Sequence, residues 1–446
     1  MKLVTTSAMR EIERRTIEDF GVKGEHLMDR AGYCVAAAVR RLAEISGFAG
    51  AYIHLIAGRG NNGGDAFVAA RYLKDMGLAV EVWLACSANQ ITGEAAFHFS
   101  KLKPAKIRVE ELPTQEDWQE AMLNPFVSEI IVDGVLGTGL RGPARGPSAG
   151  AIRYIRSQAN ESLVVSIDVP SGLNADTGEA EGDTVMADMT VTMGLPKVGL
   201  VEPQAVDYVG SLEVADLGLP REVVDEADAD ERELVFASDL KSFFPRRKRN
   251  SHKGHYGHVL VVAGARGYAG AAALAARAAT RSGVGLVSVL VPAGIRDVVA
   301  GAVLEAMVHD ALESEAGALT AAAATQVRGF YDRVQAILIG PGLTRSGEVR
   351  ALVLEILRTS PVPLVLDADA LTVLGAEVTE LAKAKAPVVI TPHPGEMAAL
   401  LGCDVATVQA DRLATANRAA KLTRQVVALK GAGTVVAQLG QPTQIN

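Results

Sequence analysis

The chain has 446 residues, more than one hydrophobic core usually serves, so two domains are expected. Hydrophobic residues make up 49%, charged residues 22% and aromatics only 4%, which predicts a large core built mainly from Ala, Val, Leu and Ile. A formal net charge of −8 argues against general nucleic-acid or anionic-membrane binding, because those partners reward broad positive fields.

In chain order, the first predicted helix covers residues 7–20, capped by Ser7 and stopped by Gly21. The same stretch carries Glu11, Glu13, Glu18 and Asp19 and no apolar core, so it does not read as a secretory signal. No apolar run reaches spanning length, and Cys34, Cys86 and Cys403 are scattered and odd in number. Reduced thiols in a cytoplasmic protein are expected. A second helix is predicted over 27–43, a strand over 51–57, a Gly-rich loop over 60–65 and an Ala-rich helix through Met76. Strands follow at 80–85, 129–132, 163–167, 189–193 and 212–214, with a helix at 149–157. This alternation predicts a Rossmann-like, doubly wound α/β domain.

After Pro220 the chain turns acidic, from Arg221 to Glu231, and then basic at Arg246-Arg247-Lys248-Arg249. The predicted organisation is a first domain over 1–220, a linker over 221–250 with the basic run solvated, and a second domain over 251–446. In that second domain, strands are expected at 258–263, 286–291, 336–339, 364–366, 388–390, 426–429 and 434–437, with a helix at 271–281. The halves share a layer plan without a repeated sequence.

Three polar segments follow predicted strands of the first half: Gly60-Asn61-Asn62-Gly63-Gly64-Asp65, Asp133-Gly134 through Leu140, and Asp168-Val169-Pro170-Ser171-Gly172. Loops leaving the carboxyl ends of parallel strands converge on one crevice, so a single shared site is predicted. The glycines permit close ligand approach, and the following helix N-terminus favours an anionic group. The spacing departs from Gly-x-Gly-x-x-Gly, which argues against a conventional nicotinamide dehydrogenase. Asp133 or Asp168 taken singly would equally serve as a turn cap.

These motifs, with Gly137-Thr138-Gly139-Leu140-Arg141-Gly142-Pro143, resemble those of the NAD(P)H-hydrate epimerase family, the YjeF N-terminal domain, from near the N-terminus through Pro220. The resemblance implies an isomerase that interconverts the R and S hydrates of NADH and NADPH. By it, Asn62, Asp133 and Ser171 supply oxygens to a potassium ion, an all-oxygen set that suits a hard cation. Asn61, Asn62, Gly63, Gly64, Asp65, the segment from Gly137 to Pro143, and Asp168 surround the substrate, with Asp168 as the acid/base group.

In the second half, Gly340-Pro341-Gly342, Asp367-Ala368-Asp369 and Thr391-Pro392-His393-Pro394-Gly395-Glu396 stand in order at predicted strand ends. Lys430-Gly431-Ala432-Gly433-Thr434 offers peptide N–H groups and one cation, which suits a nucleotide phosphate without being a Walker loop. These residues resemble the ADP-dependent NAD(P)H-hydrate dehydratase family, a branch of the ribokinase-like fold, over about 236–446. The resemblance implies a lyase in which Ala271, Gly342 and His393 contact the hydrate, His393 among the catalytic groups, and Lys430, Gly431, Ala432, Gly433 and Thr434 hold the adenine nucleotide, ADP with magnesium. That family continues into a segment ending in Gly-x-Gly-Asp, whereas this sequence stops at Ile445-Asn446. The expectation is therefore epimerisation without dehydration by this chain, within a homo-oligomeric repair enzyme of both activities. A ribokinase-like small-molecule kinase and a non-enzymatic YjeF-type scaffold are the competing readings. Retention of Asn62, Asp133 and Ser171 argues against the scaffold.

Overall fold

Short runs of aliphatic residues, each ending at a Gly or polar turn, form the strands of two units, Met1–Leu234 and Val235–Asn446. They are seen in a computed structural model that describes residues 1–48, 50–228 and 231–446. Ala229 and Asp230, inside the predicted acidic linker, lie outside the described residues.

In the first unit the strands are β1 (Tyr52–Ala57), β2 (Ala79–Leu84), β3 (Arg108–Glu111), β4 (Ile130–Gly134), β5 (Leu163–Ile167), β6 (Met189–Met193) and β7 (Ser211–Ala215). They pair in the order β3-β2-β1-β4-β5-β6-β7. All six pairings are parallel. The helices are α1 (Thr6–Glu18), α2 (Gly24–Ile45), α3 (Asn61–Asp75), α4 (Gly93–Phe99), α5 (Gln115–Leu123), α6 (Gly146–Gln158), α7 (Val206–Val209) and α8 (Arg221–Glu226). Ile53, Leu55, Val82 and Val132 pack on one face of the sheet with Val35 and Val39 of α2 and Phe67 and Leu73 of α3. Ile56, Trp83 and Ile131 pack on the other face with Trp118 of α5 and Ile152 and Ile155 of α6. Burial on both faces is why β1, β4, β5 and β6 read as nearly unbroken apolar runs.

Helix α1 is capped by Thr5, whose hydroxyl accepts the Ala8 N–H, two residues before the predicted Ser7 cap. The start of the acidic stretch forms α8, and Glu226 at its end pairs with Arg15 of α1 at 3.0 Å. A short strand, β8 (Arg232–Leu234), closes the unit, with the Leu234 N–H bonded to the Met1 carbonyl.

The second unit carries β9 (His258–Val262), β10 (Leu286–Pro292), β11 (Met307–Ala311), β12 (Ala336–Ile339), β13 (Leu364–Leu366), β14 (Val388–Ile390), β15 (Val426–Leu429), β16 (Val435–Ala437) and β17 (Thr443–Ile445). Their order is β11-β10-β9-β12-β13-β14-β15-β16-β17. Pairing is parallel as far as β15 and antiparallel through β16 and β17. The helices are α9 (Ala269–Arg281), α10 (Arg296–Ala302), α11 (Ala323–Arg328), α12 (Gly347–Thr359), α13 (Asp369–Thr372), α14 (Pro394–Leu401), α15 (Val405–Ala410) and α16 (Arg412–Thr423). Helices α9 and α10 cover Val261 and Val289, while α12, α14 and α16 cover Leu260, Ile337 and Val427 on the opposite face.

Each sheet reverses its strand order once, between β1 and β4 and between β9 and β12. Such a switch point opens a crevice at the carboxyl ends of the strands. Among the described residues no helix is long and apolar enough to cross a membrane.

Candidate functional site

At the first switch point, β1 runs through Gly58 straight into α3, so the Asn61 to Asp65 segment is the first turn of that helix rather than a free loop. Gly63 has no alternative there: a Cβ would sit 1.9 Å from the Gly58 carbonyl oxygen. The close approach turns the Asn62 side chain toward the β4 loop, where its Nδ2 donates to the Leu136 carbonyl at 2.9 Å. Asp133, at the end of β4, is fully buried. Its Oδ1 accepts the Ser171 hydroxyl at 2.5 Å and the Val135 N–H at 3.2 Å, while Oδ2 accepts the Ser166 hydroxyl and the Ser171 N–H, both at 2.8 Å. The Ser171 oxygen also accepts the Leu136 N–H at 2.8 Å and lies 3.1 Å from the Leu136 carbonyl. Carboxylate, hydroxyl and peptide carbonyl oxygens thus meet, with the Asn62 amide joined to them through its nitrogen. Burial pushes the Asp133 carboxyl upward against the downward pull of its donors, Ser171 foremost.

One strand further, Asp168 sits in the left-handed region at φ 64°, a conformation that non-glycine residues hold only when their surroundings enforce it. Three donors do so. Its Oδ1 accepts the Lys197 ammonium at 2.5 Å, the Met193 N–H at 3.1 Å and the Thr192 hydroxyl at 3.2 Å. No donor among the described residues reaches Oδ2. Asp65 lies on the same side, and burial, then the Asp168 and Glu13 charges, hold its carboxyl well above the ordinary range. Glu13 of α1 is raised as well, by burial first, with Lys197 opposing.

At the second switch point, Gly342 lies against the first turn of α9, where a Cβ would come within 2.9 Å of the Ala271 methyl. His393 is the N-cap of α14, and its Nδ1 accepts the N–H groups of Gly395 at 3.0 Å and Glu396 at 3.3 Å. That leaves Nε2 pointing to the Glu396 carboxylate at 3.4 Å. Lys430 reaches across to Asp367 Oδ1 at 2.7 Å, which also accepts the Thr391 hydroxyl at 2.8 Å. The N–H groups of Gly431, Ala432 and Gly433 have no acceptor among the described residues, whereas that of Thr434 is committed to the Asn446 carbonyl at 2.8 Å. Below this loop the buried Arg412 donates to the carbonyls of Ala432 at 2.6 Å and Leu429 at 3.2 Å.

The family described as YjeF-related protein N-terminus matches residues 24–199, and that described as NAD(P)H-hydrate dehydratase matches residues 259–446. A protein of Moorella thermoacetica named bifunctional NAD(P)H-hydrate repair enzyme Nnr is 38% identical over 446 residues, which cover 100% of this chain and 83% of the relative. The chain belongs to the bifunctional NAD(P)H-hydrate repair enzyme family. A further member, from Salinibacter ruber, is 35% identical over 98% of this chain and 81% of its own length. Among solved structures, an ADP/ATP-dependent NAD(P)H-hydrate dehydratase of Bacillus subtilis, co-crystallized with ATP and Mg2+, is 32% identical over 45% of this chain and 68% of that one, at a TM-score of 0.37.

For a chain of this repair family, the structure gathers Asn62, Asp133 and Ser171 into one cluster and adds the Leu136 carbonyl, which no residue-type argument selects. Gly137 borders the Asn62 amide, and the Thr138 carbonyl accepts from Arg10 of α1 at 3.0 Å. Leu140 and Gly142 line a shallow recess with Gly172 and Asn174. Asn61, Gly139, Arg141 and Pro143 stand exposed. Lys197, Thr192 and Glu13 escaped the sequence reading. A lone Lys in the apolar run from Met193 to Leu200 was the available signal. Among the described residues no three His, Cys, Asp or Glu side chains form a cluster able to hold a metal.

Proposed function

We propose that the first unit epimerises the R and S hydrates of NADH and NADPH, and that the second holds the hydrate and an adenine nucleotide for ADP-dependent dehydration. The observation that carries the epimerase reading is the half-clamped Asp168 carboxylate, one oxygen held by three donors and the other open. Inverting the hydroxyl-bearing ring carbon requires a bond from it, to oxygen or to the ring nitrogen, to open and re-form. The hydroxyl proton must be held meanwhile. Oδ2 of Asp168 would take that proton and return it, a role supported by the full engagement of Oδ1. The Asp65 carboxyl, held well above the ordinary range by burial, would donate a hydrogen bond to the same substrate oxygen whenever it is protonated. The first turn of α3 and the Gly137 to Pro143 segment would face the nucleotide phosphates and amide with peptide N–H groups.

Asn62, Asp133, Ser171 and the Leu136 carbonyl would offer a potassium ion an all-oxygen set with a single formal charge once the Asn62 amide, whose nitrogen now bonds Leu136, turns its oxygen inward. When bound, the ion supplies a fixed positive charge at the floor of the crevice. In the second unit, Ala271, Gly342 and His393 would border the hydrate, and the open N–H groups of Gly431 to Gly433 would hold phosphate of magnesium-bound ADP. Lys430 is already balanced by Asp367, so peptide dipoles carry more of that binding than the lysine does.

The test is chiral chromatography of a purified R hydrate incubated with the chain, with and without ADP and magnesium. Conversion to an R and S mixture faster than the protein-free control supports the epimerase. A composition matching the control throughout would exclude it.

A further inference from the structure

Lys197 is the one lysine among the largest fully buried side chains, at 1% exposure. Its three ammonium hydrogens find three acceptors: Asp168 Oδ1 at 2.5 Å, the Met193 carbonyl at 2.9 Å and the Thr192 hydroxyl at 3.2 Å. Nothing is left over for a substrate. Thr192 closes the arrangement, since its hydroxyl donates to the same Asp168 oxygen that the lysine holds. Two flanking elements fix the lysine itself: Thr192 and Met193 end β6, and the Val4 N–H and carbonyl bond to Pro196 and Val198 on either side of it.

From this we infer that Lys197 and Thr192 are positioning residues for epimerisation: they lock Asp168 Oδ1 and so aim Oδ2, as a carboxylate, at the hydroxyl-bearing carbon of the substrate. The inference rests on the epimerase reading above and extends it to two residues that touch no substrate. The neighbourhood explains why a cation is needed. Asp168 faces Asp65 on α3 and Glu13 on α1, both raised by burial, and the positive groups facing this cluster are Lys197 and, from α1, Arg10. Three carboxyls share one fully enclosed cation. Removing that cation leaves three carboxyls facing one another with no enclosed positive charge among them. Geometry gives the same result, because without Lys197 the Asp168 Oδ1 keeps only its two longer bonds, to the Met193 N–H and the Thr192 hydroxyl.

The test compares wild type, Lys197→Met, Lys197→Arg and Thr192→Val in R-hydrate epimerisation across pH, with folding monitored by tryptophan fluorescence. Lys197→Met is expected to lower kcat by about 100-fold with KM changed less than about threefold, and to move the acid limb of kcat to higher pH. Lys197→Arg should recover part of kcat and return the limb toward its wild-type position. Thr192→Val keeps the side-chain shape, so it should fold normally and still lose about tenfold in kcat. A folded Lys197→Met with wild-type kcat and pH profile, or a Thr192→Val that matches wild type, would overturn the inference. So would a loss of rate in Lys197→Met without any movement of the pH limb, which marks a purely structural pair. If Lys197→Met does not fold, Thr192→Val decides alone. An inert wild type would instead remove the epimerase reading, and this inference with it.

Discussion

His54, on β1 beneath the first crevice, gives a stability prediction whose size follows from its surroundings. Its ring is fully buried, neither nitrogen has a hydrogen-bond partner among the described residues, and it packs against Trp83 at 4.3 Å and Phe126 at 5.0 Å between centroids. Burial alone pushes it down to about 3 from an ordinary value of 6.5. The unfolded chain therefore binds a proton that the folded chain refuses, so stability is whole above about 6.5 and is lost as pH falls toward 3. At pH 5 the loss is about 2 kcal/mol, and at pH 4 about 3 kcal/mol, taking ~1.4 kcal/mol per pH unit. Both tryptophans, Trp83 and Trp118, belong to the first unit, so urea unfolding followed by tryptophan fluorescence reports on it selectively. With a slope of roughly 2–3 kcal/mol per molar urea, the midpoint should fall by about 0.7–1 M between pH 7 and pH 5. His54→Leu should remove about that much of the pH dependence. An equal midpoint drop in wild type and His54→Leu would refute the reasoning.

Three further outcomes are expected. Asp65→Asn should stabilise the first unit at pH 7, because a carboxyl raised by burial costs stability as pH rises through its folded value; the gain should shrink toward pH 4 in the same fluorescence assay. Asp133→Asn replaces two accepting positions by donors opposite Ser166 and Ser171, so the urea midpoint at pH 7 should correspond to about 2–4 kcal/mol less stability, while Asp207→Asn on the exposed face of α7 should stay within about 0.5 kcal/mol. Potassium should raise the epimerisation rate more than an equal concentration of a large organic cation, and Ser171→Ala should weaken that difference; an unchanged potassium response in Ser171→Ala would remove the hydroxyl from the ion's ligands.

The central strand positions were legible because those strands are buried on both faces and read as apolar runs. Residues 163–167 and 189–193 coincide with β5 and β6 to the residue. What escaped were the elements without that pattern. The edge strand β3, with sequence Arg-Val-Glu-Glu, keeps charged side chains in solvent and carries no apolar signature. Strand β11, interrupted by His309 and Asp310, is the same case at the edge of the other sheet. The residue pattern gave three polar, Gly-bearing segments after strands, and the set Asn62, Asp133 and Ser171 within them came from the resemblance to the epimerase family. Lys197 was not, since its partner is 29 residues away and only the pairing of β5 with β6 brings the two together. Lys430 shows the opposite difference. It was read as a phosphate ligand from its Gly-rich neighbours, and the structure pairs it with Asp367 at the end of β13, 63 residues away.

The most direct test of the account is the rate at which a purified R hydrate becomes an R and S mixture in the presence of wild type and of Asp168→Asn, followed by chiral chromatography. Asparagine keeps the shape of the side chain and removes the proton acceptor. The account predicts rapid equilibration by wild type and the protein-free rate for a folded Asp168→Asn. Equilibration by Asp168→Asn at or near the wild-type rate would contradict it.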